Sequence, residues 1–336
     1  MDHQQYAAIR HQKLHYRVGF CAALSLLSAC NPDDKETPPP EASIVTGSTP
    51  TPAAEHNYTQ EPSSLQVYSP GFAHSIVPLW STFIIADGGD IAYGSGDVME
   101  IRDTGEIVWG PMAFSWVHSA RPNSDTTDLL ISETGKNRVL VVDRTGVIAW
   151  NSDFVSPFSD GSVLKYPNDA RWHDSGFLIT DRDNHRVVLI SISGQVLWQH
   201  GETGVSGSDD VHLKGPHNGK ILLNGNLLVC DSGNDRVVEI NQDDRIVWSF
   251  ADMLAWPRDA SELKNGNILI SSSQSGEVLE VTRAGNVAWS VSGIDMPYTA
   301  ERLPDGLTLV TARDAVLWID ASGKVVQQIT NDDKEE

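Results

Sequence analysis

Six residues open equivalent stretches of this chain, and most of them can do chemistry. Each stands directly after a Pro, or in one case after Val117, where a run reading as an extended strand begins: Leu79, His118, Asn168, His217, Arg258 and Tyr298. A histidine is a nucleophile or an acid–base near neutral pH. An arginine offers a planar fork of donors that suits sulfate, phosphate or carboxylate. A position with purely structural duty would repeat one residue type, as the Gly and Trp positions of this chain do. This one varies, which points to recruitment into a site with His118 and His217 as the reactive groups and Arg258, Tyr298 and Asn168 as anion or substrate contacts. The plain alternative is a wet, polar channel mouth.

Other chemistries leave no trace. There is no phosphate-binding loop, no Gly-x-Ser-x-Gly elbow and no His-Glu-x-x-His. Cys21, Cys30 and Cys230 have no metal-ligand spacing. The stretch Asp181-Arg182-Asp183-Asn184 lacks the glycine and distal glutamate of a calcium loop. No metal and no cofactor is therefore expected. His173, His185, His200 and His212 read as single exposed histidines. The pairs Asp181 and Arg186, Asp231 and Arg236, and Glu133 and Arg138 recur at one spacing and read as salt bridges that stabilise turns.

The elements that must position these residues repeat as well. A Gly-x-x-x-Trp pattern starts at Gly105, Gly146, Gly194 and Gly285, with degenerate copies at Asp244 and at Gly323, where Gln327 replaces the Trp. Repeats of roughly 40 to 50 residues made of short strands indicate propeller blades. Residues 167–200 show the grammar of one blade: a strand from Pro167, a turn at Asp174-Ser175-Gly176, and three more short strands. Asn224-Gly225-Asn226 and Asn265-Gly266-Asn267 are hairpin turns in sister units. No helical periodicity interrupts the series. The expectation is an all-β, six-bladed propeller of four-stranded antiparallel blades over residues 64–330, with seven blades as the alternative. The units open near Pro78, Val117, Pro167, Pro216, Pro257 and Pro297, and Ser64 to Ala73 is expected to lend a closing strand to the last blade. The tryptophans are expected to pack between blades.

Residues 1–29 read as an address. Arg10, Lys13 and Arg17 precede an apolar stretch that is too short to span a bilayer and ends in Leu27-Ser28-Ala29-Cys30. That tetrad resembles a bacterial lipobox, which implies lipidation of Cys30 and a membrane anchor. Residues 30–63 carry Pro38-Pro39-Pro40 and several acids, the composition of a tether, and 331–336 form an acidic tail. Asn31 after the cysteine favours the outer membrane, with the folded part facing the periplasm. Lys plus Arg number 24 against 45 Asp plus Glu, for a formal net charge of −21, so nucleic acid is excluded as a partner. Cys230, the one cysteine of the folded part, is expected to be buried in a strand.

Segments 114–150, 166–198 and 256–289 resemble the repeats of the arylsulfotransferase-type propeller family, and Trp116-Val117-His118 is similar to its blade-opening Trp-x-His segment. NHL-type and quinoprotein-type repeats share the Gly-x-x-x-Trp element. The resemblance implies sulfuryl transfer from a phenolic sulfate to another phenol, without a nucleotide donor, through a sulfated histidine. It implies His217 as nucleophile, His118 as a second sulfate-binding group and Arg258 as anion clamp. Asn168 and Tyr298 depart from the histidine pattern, and there is no room before residue 74 for the additional β domain of the family's bacterial enzymes. The alternative function is a propeller without catalysis that serves as a ligand- or protein-binding scaffold in the cell envelope.

Overall fold

The computed structural model describes residues 66–89 and 95–331. The expected signal peptide, the tether and all but the first residue of the acidic tail lie outside the described residues.

Among the described residues, twenty-four strands form six sheets, each of four strands in sequence order. Blade I holds β1 (Ala73–Pro78), β2 (Phe83–Asp87), β3 (Gly96–Ile101) and β4 (Ile107–Phe114). Blade II holds β5 (Val117–Pro122), β6 (Asp128–Glu133), β7 (Arg138–Asp143) and β8 (Ile148–Asn151). Blade III holds β9 (Pro167–His173), β10 (Gly176–Asp181), β11 (Arg186–Ile190) and β12 (Val196–His200). Blade IV holds β13 (Gly219–Ile221), β14 (Leu227–Asp231), β15 (Arg236–Ile240) and β16 (Ile246–Phe250). Blade V holds β17 (Pro257–Glu262), β18 (Ile268–Ser272), β19 (Glu277–Val281) and β20 (Val287–Ser292). Blade VI holds β21 (Thr299–Arg302), β22 (Thr308–Ala312), β23 (Ala315–Ile319) and β24 (Val325–Thr330). Six blades account for the described repeats, so the seven-bladed alternative falls.

The second and third strands are apolar on both faces because both faces are covered. The core divides into six clusters, and each straddles one pair of neighbouring blades. Ile84, Val98, Leu129 and Ile131 seal blade I to blade II. Ile76, Ile85, Leu309 and Trp318 seal blade VI to blade I. A blade thus buries its surface only through its neighbours, which makes the ring cooperative.

The Gly-x-x-x-Trp repeat acquires a physical meaning here. The glycine closes the turn between the third and fourth strands at positive φ, +84° at Gly105 and +90° at Gly146. In the degenerate blade IV copy Asp244 takes φ +62° instead, and its carboxylate bonds the buried ring of His200 at 2.5 Å. The tryptophan reaches the next blade. Trp109, Trp150, Trp248 and Trp289 each donate an indole N–H to a carbonyl in the following blade's turn, at Arg144, Ile192, Arg283 and Ala321. Gln327 stands where blade VI should have its tryptophan and donates to Asp103 O of blade I at 2.6 Å.

Three expectations need correction. The first strand of blade I ends at Pro78 rather than starting there, because Leu79 N bonds Thr82 O and the Pro78-Leu79-Trp80 stretch turns. Residues 66–72 lend no strand to blade VI: Val67 bridges Glu106 and Phe72 bridges Arg313 as isolated pairs, and β1 belongs to blade I. His200 is buried on Asp244, and exposed acids Asp209 and Glu202 bracket His212 and raise its affinity for a proton, so neither is a lone exposed histidine. Cys230 is fully buried in β14, and burial pushes its thiol well above the usual range.

Candidate functional site

Each blade aims one residue at one mouth of the channel, and four blades use the same backbone device. In blades I, II, III and V the first strand carries a bulge against the second. His74, His118, Asn168 and Arg258 are the residues left out of the ladder. A bulged residue is turned away from the pleat, which re-aims its side chain. In blades IV and VI the equivalent residues precede the strand, with His217 N bonded to Cys230 O and Tyr298 N to Thr311 O. Two residues upstream the chain takes positive φ at Trp116 (+44°), Tyr166 (+55°), Gly215 (+54°), Trp256 (+56°) and Met296 (+48°). Bulky side chains rarely adopt that conformation, and strain of this kind gathers at functional sites.

The recurring acids hold this bend. The side chain that ends the second strand accepts a hydrogen bond from the backbone three residues ahead of the residue that faces the mouth: Glu133 from Ser115 N (3.0 Å), Asp181 from Lys165 N (2.7 Å), Asp231 from Lys214 N (2.7 Å). Ser272 Oγ does the same for Ala255 N at 2.9 Å. The arginines Arg138, Arg186 and Arg236 neutralise those acids from the paired third strand. The acid–arginine repeat therefore stabilises turns and also fixes the loop that presents the site.

The result is a cavity of about 260 Å³. His118, Asn168, His217, Arg258 and Tyr298 all line it, together with His74. The rings form a continuous set of contacts. His74 stacks on His118 with centroids 4.2 Å apart and planes 14° apart. His118 lies 5.7 Å from His217, which lies 5.9 Å from Tyr298, which lies 4.6 Å from His74. The Arg258 guanidinium sits 3.9 Å from the centre of the Tyr298 ring. Trp116, Tyr166 and Trp256 wall the outer part.

Protonation follows from this packing. Arg258 Nη1–H donates to His217 Nε2 at 3.0 Å, and a guanidinium has no acceptor, so His217 carries its proton on Nδ1. His74 Nδ1–H donates to Val117 O at 2.9 Å, which leaves its Nε2 lone pair free of protein partners. Burial, opposed in part by the Val117 bond, lowers His74 to about 4. Burial is also the first cause that pushes His118 and His217 well below the usual histidine value. The neighbouring imidazoles and Arg258 and Arg182 add to it. All three rings are neutral at neutral pH. Tyr166 and Tyr298 are pushed up to about 12 by burial, so both hydroxyls stay protonated. Among the described residues, no acid lines the cavity. The channel acids sit beneath it, with Asp169 held by Arg121 at 2.8 Å and Arg171 at 2.9 Å. Such a site can bind an anion through Arg258 and offers it neutral nitrogen nucleophiles. Among the described residues no group of three or more His, Cys, Asp or Glu is arranged to hold a metal ion.

Sequence reasoning brought forward five of these residues and missed two that matter. Leu79 does not converge; it lies in the turn after β1, and His74 takes the blade I position. The signal was available, because Ala73-His74-Ser75 aligns with Val117-His118-Ser119, but Pro78 offered a false opening. Arg182 also lines the cavity, from the turn Arg182–Asn184 after β10. Its residue type has no counterpart in the sister turns, where Thr134 and Ser232 stand.

Comparison with solved structures agrees with the fold. A protein of unknown function from Bacteroides caccae aligns at TM-score 0.56 and 16% identity over 76% of this chain and 95% of the other. The WD40 propeller domain of Doa1 aligns at TM-score 0.56 and 14% identity over 79% of this chain and 84% of its own. A catalytically inactive virginiamycin B lyase from Staphylococcus aureus, with quinupristin, aligns at TM-score 0.55 and 13% identity over 81% and 89%. No curated protein sequence matches the chain. The sequence does match a PQQ-like repeat family described as outer membrane protein assembly factor BamB, over residues 79–290 and again over 174–332. With most of the folded part so matched, and with the six-bladed ring as its structure, the chain belongs to that PQQ-like, BamB-type repeat family of propellers.

Proposed function

We propose that this propeller transfers a sulfuryl group between phenols, without a nucleotide, through a histidine. The observation that carries the reading is the set of three buried neutral imidazoles beside a guanidinium, in a cavity walled by aromatic rings. An aryl sulfate places its sulfate oxygens on Arg258 and its ring among Trp116, Tyr166 and Trp256. Taking the Arg258 donors frees the His217 Nε2 lone pair that they occupied. That nitrogen bonds to sulfur as the sulfur–oxygen bond to the phenol breaks. The electron pair leaves on the phenolate, which solvent protonates. In the second half the acceptor's oxygen bonds to sulfur and the nitrogen–sulfur bond returns its pair to His217. The acceptor's proton passes through His118 to solvent, and His74, stacked on His118, holds that ring in place.

The test is release of nitrophenol from 4-nitrophenyl sulfate in the presence of phenol. His217→Ala and His118→Ala are each expected to lower the rate by at least about a hundredfold. Release that is absent in the wild type, or indifferent to both substitutions, sinks the reading.

The proposed setting is the cell envelope, with Cys30 lipidated and the propeller tethered to the periplasmic face of the outer membrane. Labelled palmitate should enter the wild-type chain and not Cys30→Ser; label retained in Cys30→Ser would refute the anchor. A second reading, a scaffold for an envelope protein, is favoured by Trp80 and Leu223, two fully exposed apolar side chains on hairpin turns between first and second strands. Capture of an envelope partner that survives both histidine substitutions supports it.

A further inference from the structure

We infer that the cavity takes aromatic compounds carrying two anionic groups, one held at the floor by Arg258 and one at the rim by Arg182. The inference rests on the proposed sulfuryl site and extends it to the substrate's far end.

One cation suffices for a sulfate monoester, yet two guanidiniums line this cavity. Arg258 lies deep, beside His217 and over Tyr298. Arg182 stands at the wall among the outer aromatic rings, its guanidinium 4.9 Å from the centre of Tyr166 and 5.9 Å from that of Trp256. Its backbone is fixed, because Asp181 before it is fully buried on Arg186 and bonded to Lys165 N. Its ion pair is to Asp183 at 3.2 Å, whose side chain is about half exposed (49%), and an exposed pair of this kind holds a cation weakly. Its charge reaches the site, since it depresses the basicity of both His118 and His217. The rings beside Arg182 in the cavity wall, Tyr166 and Trp256, offer flat apolar surface for a third ring. A cavity of roughly 150 Å³ admits benzene, so about 260 Å³ leaves room for one ring with an anionic group at each end. On a chain of net charge −21, two guanidiniums lining one cavity mark a place built for more than one negative charge.

The test uses sulfonates, whose carbon–sulfur bond cannot be transferred. Benzenesulfonate and 4-carboxybenzenesulfonate are titrated calorimetrically into the full chain at low salt. The carboxylated compound is expected to bind roughly tenfold tighter, and the ratio should shrink as salt is added. Arg182→Gln is expected to bring the ratio within about twofold, and Arg182→Lys to leave it between the two. Asp183→Asn, which releases Arg182 from its neighbour, is expected to widen it. Arg258→Gln should weaken both ligands by similar factors. Equal affinities in the wild type, or a ratio that survives Arg182→Gln, overturn the inference. If both compounds bind alike through Arg258, only the second anion is lost. If neither binds, or if binding ignores Arg258→Gln, the sulfuryl reading falls with it.

Discussion

At the scale of single residues, the site is governed by burial of groups that would otherwise be charged. An ordinary histidine is half protonated near 6.5, and a protonated imidazole has no lone pair with which to attack. Burial lowers His74 to about 4 and pushes His118 and His217 well below the usual histidine value, so the reactive form persists into acid. Transfer through His217 should therefore show no break at the ordinary histidine value and fall only well below about pH 6.5. A pH–rate profile that breaks near 6.5 would contradict this. The same shift costs stability in acid. The folded value lies below the unfolded one, so the unfolded chain binds the proton first. Stability is full above about 6.5 and is lost as pH falls toward the folded value, by on the order of 2 kcal/mol from His74 alone at pH 5. Urea midpoints at pH 7 and pH 5 should differ less in His74→Asn than in the wild type.

At the scale of elements, the bulge and the bend before it do what side-chain identity cannot. The acid that closes the second strand grips the loop, the loop crosses into positive φ, and the bulged residue faces the mouth. Blade I uses a variant. Asp87 accepts from Gly71 N, Phe72 N and Tyr68 OH, and Gly88 lies flat against the imidazole of His74. A Cβ at Gly88 would overlap that ring, so Gly88→Ala must push His74 off its stack with His118. The expected result is a cost of about 1–3 kcal/mol in stability and a loss of transfer of at least about tenfold. Chemical denaturation and the nitrophenol assay check the two parts; wild-type activity in Gly88→Ala would show that His74 has no part in the reaction. This geometry explains the one blade that sequence reasoning misplaced. A proline is only a marker of strand entry, whereas the bulge depends on which residues of two strands pair, and that pairing is not written in either strand alone.

At the scale of the whole molecule, the ring closes through a core cluster, side chains and a main-chain bridge between Phe72 and Arg313. Among the described residues no strand is exchanged between blades I and VI. The seam holds by the cluster around Ile76, Leu309 and Trp318 and by the Gln327 amide on Asp103 O. Four other seams carry an indole N–H to a turn carbonyl. Gln327→Trp should supply the missing indole and raise stability by about 1 kcal/mol, or roughly 2–4 °C in melting temperature. Gln327→Ala should lower it by a similar amount. Melting curves check both, and a destabilised Gln327→Trp would mean that the VI–I seam has no room for the ring.

The sequence by itself determined the repeat and the strand content and left six blades against seven to the structure, because turn glycines, strand-end tryptophans and alternating apolar runs are local signals read within a few residues. It also determined that one variable position per blade should meet the others at the channel mouth. Only the tertiary structure decided that His74 rather than Leu79 is the blade I member, that Arg182 enters the cavity, and that three imidazoles lie buried and neutral beside Arg258. Each of those depends on contacts between residues about 40 or more apart in the chain, and burial, stacking and proton affinity exist only once the ring has brought them together.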